Sequence, residues 1–167
     1  AGLLNNTSMG LHSRKDLEQL YRVNVFAPLE LSQALAEELS GDPPGHIVHI
    51  GSMGGFQDSS KFPGLVAYSA SKAALGTFLE TLRADLASQG IRVVDVRPGF
   101  IDTAMTKGNR FKMPFLLDVE RAAEMTLQGI HRGMPVVSYP WPVASTMYLA
   151  RSIPDLAWGV IARRMRY

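Results

Sequence analysis

Apolar residues mark the chain's elements before any chemistry is considered. Leu17, Leu20, Tyr21, Val25, Leu29, Leu35 and Leu39 recur at helical spacing, which predicts a helix from Ser13 to about Ser40. Ser13 caps it and Asp16 lies in its first turn, as the positive N-terminal end of a helix prefers. Gly41-Asp42-Pro43-Pro44-Gly45 ends it. His46–Ile50 is a short β-branched run and reads as a strand. A Gly/Ser-rich loop runs from Gly51 to Pro63, and a second helix from about Leu65 to Ser88 carries Leu75, Leu79, Leu82 and Leu86 on one face. Its small residues Ala70, Ala73, Ala74 and Gly76 permit close approach of another backbone. Ile91–Val96 is a second strand, Asp118–Arg132 a third helix with an acidic start and a basic end, and Val136–Tyr139 a third strand. The segment 143–167 is a C-terminal helical tail, split by Pro154 and ending in arginines.

Apolar strands alternating with helices predict an α/β fold, a Rossmann-like parallel sheet with flanking helices. Only about three strands are present, so the sheet is incomplete. No linker, repeat or low-complexity tract divides the chain, and residues 1–167 read as a single domain. Composition narrows the partners. The chain is 46% hydrophobic and 19% charged, with a net charge of +2; that profile suits a soluble cytoplasmic protein and gives no basic patch for nucleic acid. Cysteine is absent, which removes disulfides and thiolate metal sites. His46 and His49 sit three apart on a strand and point to opposite faces, so no metal site is expected. No signal peptide is visible in the first ten residues, and no apolar run is long enough to span a membrane.

Ligands of open α/β sheets bind beyond the carboxyl ends of the strands. Three features converge on that rim. Ser52 follows the first strand, Pro98–Thr103 follows the second, and Tyr68 and Lys72 open the helix between them. Tyr68 and Lys72 are four residues apart and share one helix face. A free phenol titrates near pH 10, and bringing it to about 7 needs roughly 4 kcal/mol of differential stabilisation. A fixed ammonium supplies part of this and a cationic cofactor ring could supply more. The pair therefore suits proton transfer to and from an alcohol or carbonyl oxygen. Asn24 lies mid-helix, four residues before Pro28. Proline has no N–H, so the Asn24 carbonyl is expected to be freed, the helix to kink, and the carbonyl to be able to hold an ordered water.

These residues resemble the short-chain dehydrogenase/reductase family. Ala1-Gly2 resembles the end of its Asn-Asn-Ala-Gly turn, Arg22-Val23-Asn24-Val25 the helix of its active-site Asn, and His49-Ile50-Gly51-Ser52 the strand end with its catalytic Ser. Ala67-Tyr68-Ser69-Ala70-Ser71-Lys72-Ala73-Ala74 closely matches its catalytic helix, and Arg97-Pro98-Gly99-Phe100-Ile101-Asp102-Thr103 its nicotinamide loop. The resemblance covers about residues 1–110 and implies an oxidoreductase that interconverts a carbonyl and an alcohol with NAD or NADP. Asn24, Ser52, Tyr68 and Lys72 are the catalytic residues it implies. Tyr68 is the general acid/base, Ser52 holds the substrate oxygen, and Asn24 holds a water leading from Lys72 to solvent. Tyr68, Lys72, Pro98, Gly99, Ile101 and Thr103 are the implied cofactor contacts, with Lys72 on the nicotinamide ribose and Ile101 and Thr103 on the carboxamide.

Two departures qualify the match. Tyr68 follows Ser52 by 16 residues, longer than the family's usual gap, with Asp58-Ser59-Ser60-Lys61 as the insert and Ser59 and Ser60 as competing hydroxyls. The family's glycine-rich dinucleotide turn has no counterpart here, so the chain is expected to be the C-terminal, catalytic part of such an enzyme. An unpaired apolar edge on the first strand is then expected to leave the chain poorly soluble or partly folded. The alternative is a non-catalytic remnant or interaction module without cofactor binding; epimerase-type relatives share Tyr-x-x-x-Lys but fit the Pro98–Thr103 loop less well. Phe62, Phe100, Met105, Phe111, Met113, Phe115 and Trp141 either line a pocket for a hydrophobic small-molecule substrate or pack the core. The tail either closes that pocket, packs on a second subunit, or lies on a membrane surface as a peripheral contact. A homo-oligomer is expected by analogy.

Overall fold

The computed structural model describes residues 13–40, 45–55, 66–107 and 112–162. Helix α1 (Arg14–Tyr21) opens on a reciprocal cap in which Ser13 accepts from the Asp16 amide and Asp16 accepts from Ser13. A π-helical turn (Arg22–Phe26) joins it to α2 (Ala27–Leu39). It lies where proline chemistry predicts an interruption of the helix. The Ala27 N–H reaches back five residues to the Arg22 carbonyl, so the helix takes in one extra residue just before Pro28. The turn is a local widening with a functional look, and it sets Asn24 and Val25 inward.

Strands β1 (His46–Ile50), β2 (Arg92–Pro98) and β3 (Val136–Tyr139) form a parallel sheet in the order β1-β2-β3. His49 pairs in register with Asp95, and Arg97 with Ser138. Helix α3 (Val66–Leu86) connects β1 to β2, and α4 (Val119–His131), capped by Asp118, connects β2 to β3. Helices α5 (Trp141–Arg151) and α6 (Asp155–Ala162) follow, divided near Pro154 as the pattern predicts; α5 begins at Trp141, two residues before the expected tail.

The sheet separates two cores. On one face Leu75, Leu79, Leu82 and Leu86 of α3 bury Ile47, Ile91 and Val93. On the other, Val94, Val96, Val137 and Tyr139 pack with Ala122 of α4. Gly129 of α4 is needed there, since a Cβ at that position would lie 2.4 Å from Val137 Cγ1. Val48 and Ile50 lie on the α4 side of β1 and are exposed. No helix among the described residues is long and apolar enough to cross a membrane.

Candidate active site

The site forms where β1 and β2 end. After Ile50 the chain rises through Gly51 and Ser52 into a short 3₁₀ turn (Met53–Gly55) pressed against the start of α3. The approach is close: a Cβ on Gly55 would lie 2.3 Å from Lys72 Cβ and 2.6 Å from its carbonyl carbon. Ser52 Oγ accepts from the Gly54 amide at 3.0 Å. A Cβ on Gly54 would sit 3.4 Å from Ser52 Oγ and 3.5 Å from Tyr68 Cε1. Ser52 and Tyr68 thus flank one glycine, with the Ser52 hydroxyl placed to favour the ionised phenol. Lys72 is buried; its Nζ lies 5.9 Å from the Tyr68 ring centroid and reaches the Ile50 carbonyl at 3.5 Å.

The electrostatics differ from the reading based on spacing. Burial pushes the Tyr68 hydroxyl above its ordinary value, and the Ser52 hydroxyl opposes the rise. Desolvation, rather than the ammonium 5.9 Å from the ring centre, sets the direction of the shift. Lys72 itself is pushed down by burial and held up by the Asp95 carboxylate.

Asn24 is buried, and its side-chain amide donates to Ser71 Oγ at 3.1 Å, while Ser71 donates to the Tyr68 carbonyl at 2.7 Å. The Asn24 side chain therefore anchors the first turn of α3, a contact that spacing did not reveal.

The loop after β2 is held from both sides. Gly99 donates to the Tyr139 carbonyl at 2.7 Å, and a Cβ there would lie 3.1 Å from both Met53 Cε and Pro140 Cδ. Ile101 bridges Leu117: the Leu117 amide donates to Phe100 and the Asp102 amide to Leu117. In a parallel bridge the N–H and C=O of Ile101 face the opposite side. There Thr106 Oγ1 meets the Ile101 carbonyl at 2.6 Å and accepts from the Thr103 amide at 2.9 Å. Thr106 is a hub that motif matching missed; a hydroxyl three residues after Thr103 was its only sequence signal.

Three further groups were not foreseen. Met53, buried beside Ser52, packs against Val143, Ala144 and Met147, so α5 docks onto the rim of the site. His49 meets the buried Ser32 Oγ at 2.8 Å, and Ser32 donates its one proton to the Pro28 carbonyl at 2.7 Å. His49 Nε2 must then be the donor to Ser32. Asp95 and Arg97 form a buried pair on β2 with Nε–Oδ2 2.5 Å. Alternating charge on a fully buried strand was the available signal for it.

Of the residues named above as candidate pocket lining, Met105, Phe115 and Trp141 are exposed and join neither core. Phe62, Phe111, Ala1-Gly2, the Asp58–Lys61 insert with Ser59 and Ser60, and the terminal arginines lie outside the described residues. No group of three or more His, Asp or Glu able to hold a metal occurs among the described residues.

A parallel sheet with Ser, Tyr and Lys gathered at its carboxyl edge is the architecture of a dehydrogenase-type Rossmann domain. The chain belongs to the short chain dehydrogenase family, whose model matches residues 1–113. It is 43% identical over 143 residues to an uncharacterized oxidoreductase of Myxococcus xanthus, covering 86% of this chain and 55% of that one. An uncharacterized oxidoreductase of Staphylococcus epidermidis is 30% identical over 108 residues, 65% of this chain and 46% of that protein. The chain thus spans about half the length of the curated relatives it matches. Among solved structures, a short-chain dehydrogenase from Burkholderia cenocepacia in complex with NADP superposes with a TM-score of 0.82 at 26% identity, covering 100% of this chain and 67% of that one. One from Sphingobium yanoikuyae in complex with NADPH gives 0.76 at 25% identity, over 99% of this chain and 63% of that one. A bulky-bulky ketone specific alcohol dehydrogenase from Comamonas testosteroni gives 0.73 at 26% identity, over 99% and 61%.

Proposed function

We propose that the protein carries the catalytic half of an NAD(P)-dependent oxidoreductase that interconverts a carbonyl and an alcohol. The observation that carries this reading is the Ser52–Tyr68 hydroxyl pair beside a buried Lys72 at the carboxyl edge of a parallel sheet. The residues present fit the nicotinamide end of a dinucleotide. The outward N–H and C=O of Ile101, braced by Thr106, and the neighbouring Thr103 supply the mixed donors and acceptors that a carboxamide needs. A bound nicotinamide supplies or accepts the hydride.

This chain's own residues handle the oxygen and its proton. Ser52 holds the substrate oxygen beside Tyr68, and Tyr68 gives that oxygen its proton in reduction or takes it in oxidation. The phenol is pushed up by burial and so carries its proton in the resting site. In oxidation Tyr68 must give up that proton, which the nearby Lys72 ammonium would favour and the positive charge of a bound oxidised nicotinamide would favour further. Asn24, placed by the π-turn and by Ser71, keeps Tyr68 and Lys72 in register, and its main-chain carbonyl would hold a water through which a proton passes between Lys72 and solvent. Met53 and α5 give the rim an apolar wall. A hydrophobic ketone or secondary alcohol fits that wall, as the Comamonas relative's ketone specificity also suggests. The remnant reading is not favoured, because Ser52, Tyr68 and Lys72 keep one another's company.

The test is turnover of hydrophobic ketones with NADPH and NADH, alongside Tyr68→Phe. Loss of turnover by about 10²–10⁴-fold with dinucleotide affinity unchanged supports the assignment. A Tyr68→Phe variant that turns over like the wild type refutes it.

A further inference from the structure

The buried Asp95–Arg97 pair has no place in the reaction as described, yet it lies directly under the site. Asp95 and His49 are register partners on adjacent strands and share the face covered by α3. Gly51 leaves room for the carboxylate, since a Cβ there would lie 2.7 Å from Asp95 Oδ1. Gly51 also donates to the Val96 carbonyl at 2.7 Å. The preceding residue, Ile50, offers its carbonyl to Lys72 Nζ, and the following one is Ser52. Arg97 fixes the carboxylate from β2 through its Nε and extends Nη2 to Glu80 of α3 at 3.6 Å. The buried carboxylate and the buried ammonium thus approach the same Ile50–Gly51 segment from two elements, and opposite charges sharing a desolvated space lower the cost of keeping both charged.

We propose that Asp95, clamped by Arg97 beneath the Gly51 backbone, is a positioning residue that holds the Ile50–Ser52 crest and keeps the Lys72 ammonium charged in the site. The inference rests on the proposed oxidoreductase reading, and it acts through Lys72 rather than on substrate. The charged and titratable groups around Lys72 are Tyr68 and Glu80 on its own helix, His49 on β1, and Asp95 and Arg97 on β2. Among them, Asp95 is the one that holds the lysine's proton on against desolvation. Asp95 and Arg97 thereby set the upper pH limit over which Lys72 can support Tyr68.

The experiment is an NMR titration of the Lys72 side-chain nitrogen in ¹⁵N-lysine-labelled protein, assigned with Lys72→Arg, beside the pH profile of kcat/KM. Asp95→Asn is expected to lower the Lys72 midpoint by about 1 pH unit or more, and to move the basic limb of kcat/KM down with it. Arg97→Gln keeps the carboxylate, removes the cation and moves the same midpoint the other way. A purely structural pair would lower Tm in both variants and leave the midpoint in place; that outcome overturns the proposal. Should Asp95→Asn fail to fold, Arg97→Gln decides alone, and an unmoved midpoint there also overturns it. The titration needs no turnover. A wild type without dinucleotide-dependent activity but with shifting midpoints would sink the functional reading and leave this coupling intact. An active wild type with unmoved midpoints would do the reverse.

Discussion

The two faces of the sheet are built to different rules. The α4 face is almost wholly apolar: Val94, Val96 and Val137 meet Ala122, and its polar pair, Thr126 and Tyr139, is satisfied internally at 2.8 Å. The α3 face begins the same way, with Val93 and Ile47 under a row of leucines. Toward the carboxyl ends it changes, and His49, Asp95, Arg97 and Lys72 replace the aliphatic residues. Burying such groups costs stability unless each finds a partner. Here each does: His49 has Ser32, Asp95 has Arg97, and Lys72 has the Ile50 carbonyl. One face supplies packing, and the other gives up packing for charge placed next to Tyr68.

Substitutions on each face should therefore fail differently. The largest effect is expected from Tyr68→Phe, which removes one oxygen from the α3 face. Steady-state kinetics should show a loss of about 10²–10⁴-fold, while thermal melts stay close to wild type. Next comes Leu79→Ala in the leucine row. Chemical denaturation should report about 2–5 kcal/mol of lost stability, and the folded fraction should keep its kcat/KM. On the α4 face, Gly129→Ala drives a methyl against Val137 and should cost about 1–3 kcal/mol, again with kinetics unchanged. If Gly129→Ala alters kcat/KM as strongly as it alters stability, the division between the faces is wrong.

A subtler effect is tied to pH. Burial depresses His49 below its ordinary value of 6.5, with Lys72 adding to the depression and Asp95 opposing it. Below 6.5 the unfolded chain binds a proton that folded His49 refuses, so stability falls as pH drops through that window. His49→Gln should flatten the dependence of unfolding free energy on pH below 6.5. An equally steep profile in the variant would show that His49 is not the group responsible. The smallest effect is expected from Glu80→Gln. Its half-exposed link to Arg97 is long, and removing it should change stability by no more than about 0.5 kcal/mol.

Much of the site was legible in the chain because its parts are local. Tyr68 and Lys72 share a helix face by spacing, and Ser52 and Pro98–Thr103 follow strands whose apolar runs are unambiguous. Other parts depend on residues far apart in sequence. The Asn24 side chain reaches Ser71, 47 positions away, across a helix contact that no local pattern encodes. An interruption of the helix before Pro28 was legible, but not its form as a π-turn, because proline chemistry predicts a missing donor and not how the helix absorbs it. The direction of the Tyr68 shift was also misjudged. Spacing measures proximity to Lys72 but says nothing about how much water the surrounding elements remove.

The amino-acid sequence by itself determined the order of strands and helices, the Ser, Tyr and Lys types and the rim on which they meet. Periodicity and helix geometry act over a few residues, and the chain carries them openly. Only the tertiary structure decided that Asp95 lies beneath Gly51, that Met53 seats α5 beside Ser52, and that burial rather than Lys72 governs the phenol. Those outcomes depend on which groups share a desolvated space, and that space exists only once β1, β2, α3 and α5 have packed.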